Sequence, residues 1–81
     1  MEELLDLAKS GNEEAFTKII ISMKSELYGV ARTRLDNEDD IEDAIQETMI
    51  IAFRRLKTLQ KNKFYKTWFV KILINECNHI Y

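Results

Sequence analysis

The sequence predicts an all-α domain, a compact bundle of about four helices, and three observations indicate it. The 81-residue chain has no proline and only two glycines, so little in it interrupts a helix. Its apolar residues recur every three or four positions, which is the helical period, and no segment alternates as a strand does. The length suits one domain with a small core, so we expect a single unit over residues 1–81.

The first two helices are predicted from their ends. Residues 2–10 form the first helix, with acidic residues in its first turn and Gly11 placed to end it. Residues 13–35 form the second, with Asn12 as its N-cap. Gly29 within this helix predicts a close approach of another helix. One apolar stripe runs along the second helix and is made of Phe16, Ile19, Ile20, Met23, Leu27, Val30 and Ala31.

The third and fourth helices follow a second pair of capping residues. Asp36 and Asn37 precede a helix over residues 38–57, and residues 58–63 form a polar loop. The fourth helix begins near Asn62 or Lys63 and continues to the chain end. We expect the long second and third helices to be antiparallel, with the fourth packed across them. The predicted core face of the third helix consists of Ile41, Ile45, Thr48, Ala52 and Leu56.

The composition excludes several classes of protein. Cys77 is the only cysteine, so neither an internal disulfide nor a thiolate zinc site can form, and the chain suits a reducing cytoplasm. The segment MEELLDLAKS is acidic and amphipathic, unlike the basic start and apolar core of a signal peptide, and no apolar run approaches the roughly 20 residues that span a bilayer. We therefore expect neither a targeting segment nor a membrane partner. His79 has no companion nucleophile, phosphate loop or metal-ligand cluster, so we expect neither an enzyme nor a cofactor.

Charge is unevenly divided along the chain. Residues 1–53 hold five basic and thirteen acidic side chains, a net of −8, whereas residues 54–81 hold seven basic and one acidic, a net of +6. Such a division indicates two different partners, and the basic end is the natural candidate for a nucleic acid. A modest patch that binds nothing is the alternative.

The third helix carries an unusual outward face. At 100° per residue its non-core side combines an apolar residue with carboxylates, an amide and a guanidinium, which is typical of a helix-docking surface. A charged surface helix with one stray isoleucine is the alternative, since single exposed apolar residues are normal. The face consists of Asp43, Gln46, Glu47, Ile50 and Arg54.

Three segments carry a resemblance to a known family. They are GNEEAF at residues 11–16, DDIEDAIQETMIIAFRRL at residues 39–56, and FYKTWFVKILINE at residues 64–76. In this order and spacing they resemble the promoter-melting domain of bacterial RNA polymerase sigma factors, closest to the extracytoplasmic-function group. The most specific part is the pattern D-x-x-Q-E followed by an aromatic and a basic pair, and the similarity extends over essentially the whole chain.

The resemblance implies a protein partner for the third helix. In that family the D-x-x-Q-E helix docks on the paired clamp helices of the largest polymerase subunit. The matching residues here are Asp43, Gln46 and Glu47, to which the outward face adds Ile50 as an apolar centre and Arg54 at its edge. RNA polymerase core is therefore the expected partner, and an anti-sigma protein that covers these surfaces is a further candidate.

The resemblance also implies a contact with promoter DNA. Family members capture the single-stranded non-template strand of the minus-ten element and flip a base into a pocket of the loop before the last helix. Aromatic and lysine side chains are the types that stack on bases and pair with phosphates. For Tyr65 and Trp68, which flank the core, packing is the alternative role, and Asn75 either reads a base edge or is solvated. The expected contacts are Gln60, Lys61, Asn62, Lys63, Phe64, Tyr65, Lys66, Trp68, Lys71 and Asn75.

The chain also departs from the family pattern. Its loop has neither glycine nor proline, Tyr65 stands where a phenylalanine is usual, and the chain closes with NECNHIY where relatives tend to continue with arginines. Family members carry a second, helix-turn-helix domain for the minus-thirty-five element, which we expect to be absent from this chain. A protein-interaction bundle that imitates a sigma domain without binding DNA is the competing hypothesis.

Overall fold

The computed structural model describes residues 1–80 and contains four α-helices with two short 3-10 turns between the last two. No strand occurs within these residues, so the predicted all-α class is confirmed. No helix among them is both long and apolar enough to cross a bilayer. The elements are α1 (Glu2–Lys9), α2 (Glu13–Arg32), α3 (Glu38–Arg55), the 3-10 turns Leu56–Thr58 and Asn62–Phe64, and α4 (Tyr65–Ile80).

The predicted caps begin the two long helices. The side chain of Asn12 accepts a hydrogen bond from the backbone N–H of Ala15 at 2.9 Å. That of Asn37 accepts from the N–H of Asp39 at 2.8 Å, which satisfies a donor that the helix itself leaves free. Gly11, between α1 and α2, has φ +103°, a conformation that glycine adopts without a steric penalty.

The bundle closes around one apolar core. Residues 33–37 connect α2 to α3, and because a connection this short joins two helices that touch, α2 and α3 run antiparallel. Helix α4 packs on both of them, and α1 packs on α2. The predicted core face of α3 is confirmed in full, since all five of its residues are buried. The most deeply buried side chains are Ile19, Leu27, Ala31, Thr48, Ala52, Phe69 and Leu73.

The prediction for Gly29 is wrong. This residue lies on an exposed part of α2, and a Cβ atom built there would meet no heavy atom within 4 Å. No helix approaches it. A glycine inside a helix indicates a close approach only when it faces a neighbouring helix, and the apolar stripe of α2 turns this position towards solvent.

The segment between α3 and α4 is more structured than the predicted polar loop. The α-helix ends at Arg55, two residues early, and a 3-10 turn continues to Thr58. Leu59 is then buried at 4% exposure and Asn62 at 8%, so the loop is attached to the body of the domain at two points. The first full turn of α4 begins at Tyr65, after the second 3-10 turn.

Candidate protein and nucleic-acid interfaces

The outward face of α3 forms a continuous exposed strip. Ile50 is 40% exposed at its centre, and the four polar residues around it are all exposed. Because helical neighbours three and four residues apart lie side by side, the strip presents one apolar side chain surrounded by polar groups of both charges. This arrangement has the apolar centre and polar rim of a protein interface. We call it the α3 strip: Asp43, Gln46, Glu47, Ile50 and Arg54.

The structure adds Phe53 to this surface. The ring is 41% exposed, and its buried part packs edge-on against Phe16 of α2, with ring centroids 5.0 Å apart. Phe16, Ile50 and Phe53 line a surface hollow of about 450 Å³ between α2 and α3. The sequence contained the signal for Phe53, which follows Ile50 by three residues and Gln46 by seven and therefore shares their side of the helix.

A second groove lies farther along the same two helices. It has a volume of about 560 Å³ and is lined by Tyr28, Ile45 and Gln46 among others, so Gln46 borders both depressions. The hydroxyl of Tyr28 donates a hydrogen bond to the carboxylate of Glu38 and thereby joins α2 to the start of α3. This bond, together with desolvation, raises the pKa of Tyr28 above its usual value.

The predicted DNA-binding residues extend from the loop along α4 as far as Asn75. Phe64 is 53% exposed, and the ammonium of Lys63 lies 5.1 Å from the centre of its ring. Gln60, Lys61, Lys71 and Asn75 are also exposed. Lys66 differs, because its Nζ lies 3.2 Å from Oε1 of Glu26 on α2. A phosphate would have to compete with this carboxylate for Lys66.

Tyr65 and Trp68 are half-buried and pack against the core. The indole of Trp68 meets the ring of buried Phe69 edge-on, at 5.3 Å between centroids and an interplanar angle of 89°. Tyr65 and Trp68 therefore pack against the core, which is the alternative role predicted for both from the sequence. Part of each side chain still reaches the surface, so packing and a DNA contact are compatible.

Asn62 lies differently from its neighbours in the predicted DNA-binding set. Its side-chain Nδ2 donates to Glu2 Oε1 and to Asp6 Oδ1, both at 2.8 Å, and its Oδ1 accepts from Lys9 Nζ at 2.5 Å. The amide is thus buried and occupied by three side chains of α1. We expected a loop amide free to read a base, but a direct base contact would require these bonds to break, so Asn62 instead anchors the loop.

Other reactive side chains contribute no site within residues 1–80. No group of three or more His, Cys, Asp or Glu side chains there converges so as to hold a metal ion. Cys77 is buried in the core, and desolvation raises the pKa of its thiol, so it is held in the unreactive protonated form. His79 lies on the surface, 3.7 Å from a carboxylate oxygen of Glu76.

Comparison with known proteins decides the family. The model of the sigma-70 region 2 family matches residues 19–80, which is most of the chain and includes the α3 strip, the loop and α4. The chain belongs to the sigma-70 region 2 family. The resemblance to a sigma-factor domain that the sequence carries is thereby confirmed.

Curated relatives of this sigma-70 region 2 chain carry sigma-factor names. The ECF RNA polymerase sigma-E factor of Haemophilus influenzae is 26% identical over 74 residues, covering 91% of this chain and 39% of that protein. The ECF RNA polymerase sigma factor SigW of Bacillus subtilis is 30% identical over 67 residues, 83% of this chain and 36% of that protein. The RNA polymerase sigma factor CnrH of Cupriavidus metallidurans is 27% identical over 74 residues, 91% and 39% respectively. The chain spans less than two fifths of each relative.

Proposed function

We propose that residues 1–81 act in transcription initiation as the region-two domain of an extracytoplasmic-function sigma factor. In this proposal α3 docks on the clamp helices of the largest RNA polymerase subunit, and the loop with α4 binds and melts the minus-ten element by capturing the non-template strand. The observation that carries it is the α3 strip, because its D-x-x-Q-E residues are all exposed around an apolar centre. Action beside polymerase places the domain in the cytoplasm.

The polymerase-binding half follows from the chemistry of the strip. Ile50 and Phe53 supply apolar area at the centre, while Asp43 and Glu47 supply carboxylates for a basic partner. Buried apolar anchors contribute most of the binding energy at interfaces, and surrounding charges orient the partner. A partly apolar, basic helical hairpin therefore fits this surface better than a fully polar one.

The DNA-binding half depends on whether the loop and α4 can offset the cost of flipping a base. Unstacking costs a few kcal/mol, and stacking on an aromatic ring returns about 1 to 3 kcal/mol per base. Phe64 is an exposed ring beside a lysine, so it can stack on a base while Lys63 approaches the adjoining phosphate. Lys61 and Lys71 add positive charge on either side in the sequence.

The test of polymerase docking is binding of the chain and its variants to core RNA polymerase. Single changes in the strip should weaken binding while the helical signal is retained, since exposed substitutions usually alter stability by less than about 0.5 kcal/mol. Glu14→Lys is the matched charge control, because Glu14 lies on α2 with its side chain 83% exposed. The strip variants to be tested are Asp43→Ala, Gln46→Ala, Glu47→Lys and Ile50→Asp. If all four bound polymerase normally, the docking assignment would be refuted.

The test of DNA capture separates charge from sequence reading. Each alanine change at Lys61, Lys63 or Lys71 should weaken single-strand binding equally for all sequences and reduce the salt slope by about 0.7. Lys66→Ala should have a smaller effect on both, because Glu26 already competes for this lysine. Gln60→Ala should instead flatten discrimination between minus-ten variants, because a flipped base is identified by hydrogen bonds and pocket shape. Two results would favour a protein-interaction bundle that does not bind DNA. One is identical behaviour of the lysine variants and Gln60→Ala, and the other is no single-strand binding even with polymerase present.

One observation keeps that second candidate function in view. Of the predicted DNA contacts, Asn62 is bonded to α1 and Lys66 is paired with Glu26, so two of them already have partners within the domain. A bundle of this second kind would bind only a protein, either polymerase or an anti-sigma protein. It would retain the α3 strip and have no need of an unpaired basic surface. Single-strand binding distinguishes the two functions.

A further inference from the structure

Three charged side chains of α1 converge on one amide of the loop, although they lie 53 to 60 residues away in the sequence. Both N–H groups of the Asn62 side chain are used, one by Glu2 and one by Asp6, and its carbonyl oxygen is used by Lys9. Hydrogen bonds to charged groups are stronger than bonds between neutral ones. We call this arrangement the α1 clasp: Glu2, Asp6, Lys9 and Asn62.

The clasp is one of two attachments that set the shape of the loop. The other is Leu59, whose side chain enters the core. Between these two attached residues the chain has only Gln60 and Lys61, and both are exposed. With both ends fixed, a two-residue bridge has few available paths, so the clasp limits where these two side chains can lie.

We propose that Glu2, Asp6 and Lys9 are positioning residues for minus-ten recognition. By holding Asn62 they fix the path of Gln60 and Lys61, and thus which base of a single-stranded DNA the loop accepts. This proposal rests on the proposed capture of the non-template strand. The family match covers residues 19–80 and so includes the loop but not α1. The clasp therefore joins α1, which lies outside the match, to the loop that is predicted to contact the flipped base.

The charges of the clasp also direct the strand. Glu2 and Asp6 border a polar cavity of about 470 Å³ beside the loop, whose other walls include Lys61 and Lys63. Carboxylates repel phosphates, and lysines attract them. A captured strand would therefore run its backbone along the lysine side of the loop and keep it away from α1.

The experiment compares matched variants of α1 in the 81-residue chain. Asp6→Ala and Glu2→Ala each remove an acceptor from Asn62, whereas Asp6→Asn keeps an acceptor oxygen and removes only the charge. Glu3→Ala is the control, because Glu3 shares the first turn of α1 with Glu2 and is exposed outside the clasp. The first readout needs no DNA: hydrogen exchange at the backbone N–H of Phe64, which donates to the carbonyl of Lys61 at 3.0 Å across the loop turn.

We expect the two alanine variants in the clasp to speed exchange at Phe64 about tenfold, while exchange in the core of α2 is unchanged. The second readout is the ratio of affinities for single strands that differ at one minus-ten position, measured with core polymerase present. We expect this ratio to approach one in Asp6→Ala and Glu2→Ala and to be preserved in Asp6→Asn and Glu3→Ala. A purely structural clasp would lower affinity for all strands together and leave the ratio intact.

Each result bears on a different claim. Unchanged exchange at Phe64 in both alanine variants would overturn the positioning role of the clasp. Faster exchange with an unchanged affinity ratio would overturn its link to base selection. If the unmodified chain binds single strands with no sequence preference, the proposed DNA capture fails, and selection by the clasp fails with it. If the unmodified chain shows a preference that is lost in Asp6→Ala and Glu2→Ala but kept in Asp6→Asn and Glu3→Ala, both proposals are supported.

Discussion

Phe53→Ala tests whether the α3 strip binds polymerase through an apolar anchor that sequence reasoning alone did not assign. Removing a fully buried phenylalanine costs about 3 to 5 kcal/mol of unfolding free energy. Because the Phe53 ring is 41% exposed, we expect roughly 2 kcal/mol here, including the edge-on contact with Phe16 at 5.0 Å. For a domain of this size that loss lowers Tm by about 8 to 16 °C. Thermal melting followed by circular dichroism measures it.

The binding consequence of Phe53→Ala is measured well below the lowered Tm, so that the variant is folded. An aromatic anchor contributes about 2 kcal/mol to an interface, so Kd for core polymerase should rise about 30-fold. Phe64→Ala is the matched control, since it removes an equally large ring that is 53% exposed beside the loop. If Phe53→Ala binds polymerase as tightly as the unmodified chain, Phe53 is not an anchor of the docking surface; weaker binding by Phe64→Ala would instead indicate that polymerase contacts the loop.

Three further predictions concern charge, the backbone and the thiol. Glu26→Gln should strengthen single-strand binding and steepen its salt dependence, because it releases Lys66 for a phosphate; an unchanged salt slope would contradict this. Gly29→Ala should raise the free energy of unfolding by about 0.5 to 1 kcal/mol in urea titrations, since the added methyl meets no atom and alanine favours the helix; destabilisation would show that the site is not open. Burial raises the pKa of the Cys77 thiol in the folded chain above its pKa in the unfolded chain. The neutral thiol therefore contributes its full share of the free energy of unfolding below the unfolded-state pKa, and this share is lost as the pH rises through the folded-state pKa. Alkylation of Cys77 at pH 8 should accordingly be much slower in the folded chain than in urea, and equal rates would contradict its burial.

Local patterns predicted most of the helical architecture. The caps Asn12 and Asn37 act on the next turn of chain, and the core face of α3 follows from a repeat within eighteen residues, so both can be read without knowledge of the fold. Phe53 could also have been found, because its spacing from Ile50 places it beside the α3 strip.

Long-range contacts could not be predicted in the same way. The role of Asn62 depends on residues 53 to 60 positions away, and a polar residue in a polar segment gives no sign of such partners. The pairing of Lys66 with Glu26 was hidden for the same reason. The prediction for Gly29 was wrong because the residue type alone does not show whether a glycine in a helix faces a neighbouring helix or solvent.

The narrow buried side of α4 has a consequence for how such a domain can evolve. Its fully buried residues, Phe69, Leu73 and Cys77, are spaced by four and form a single row along the helix. Exposed positions on the other side, such as Lys71 and Asn75, make no contribution to that row. Substitutions there can accumulate with little loss of stability, so one scaffold can change the chemistry of this exposed face through small steps that each leave the protein folded.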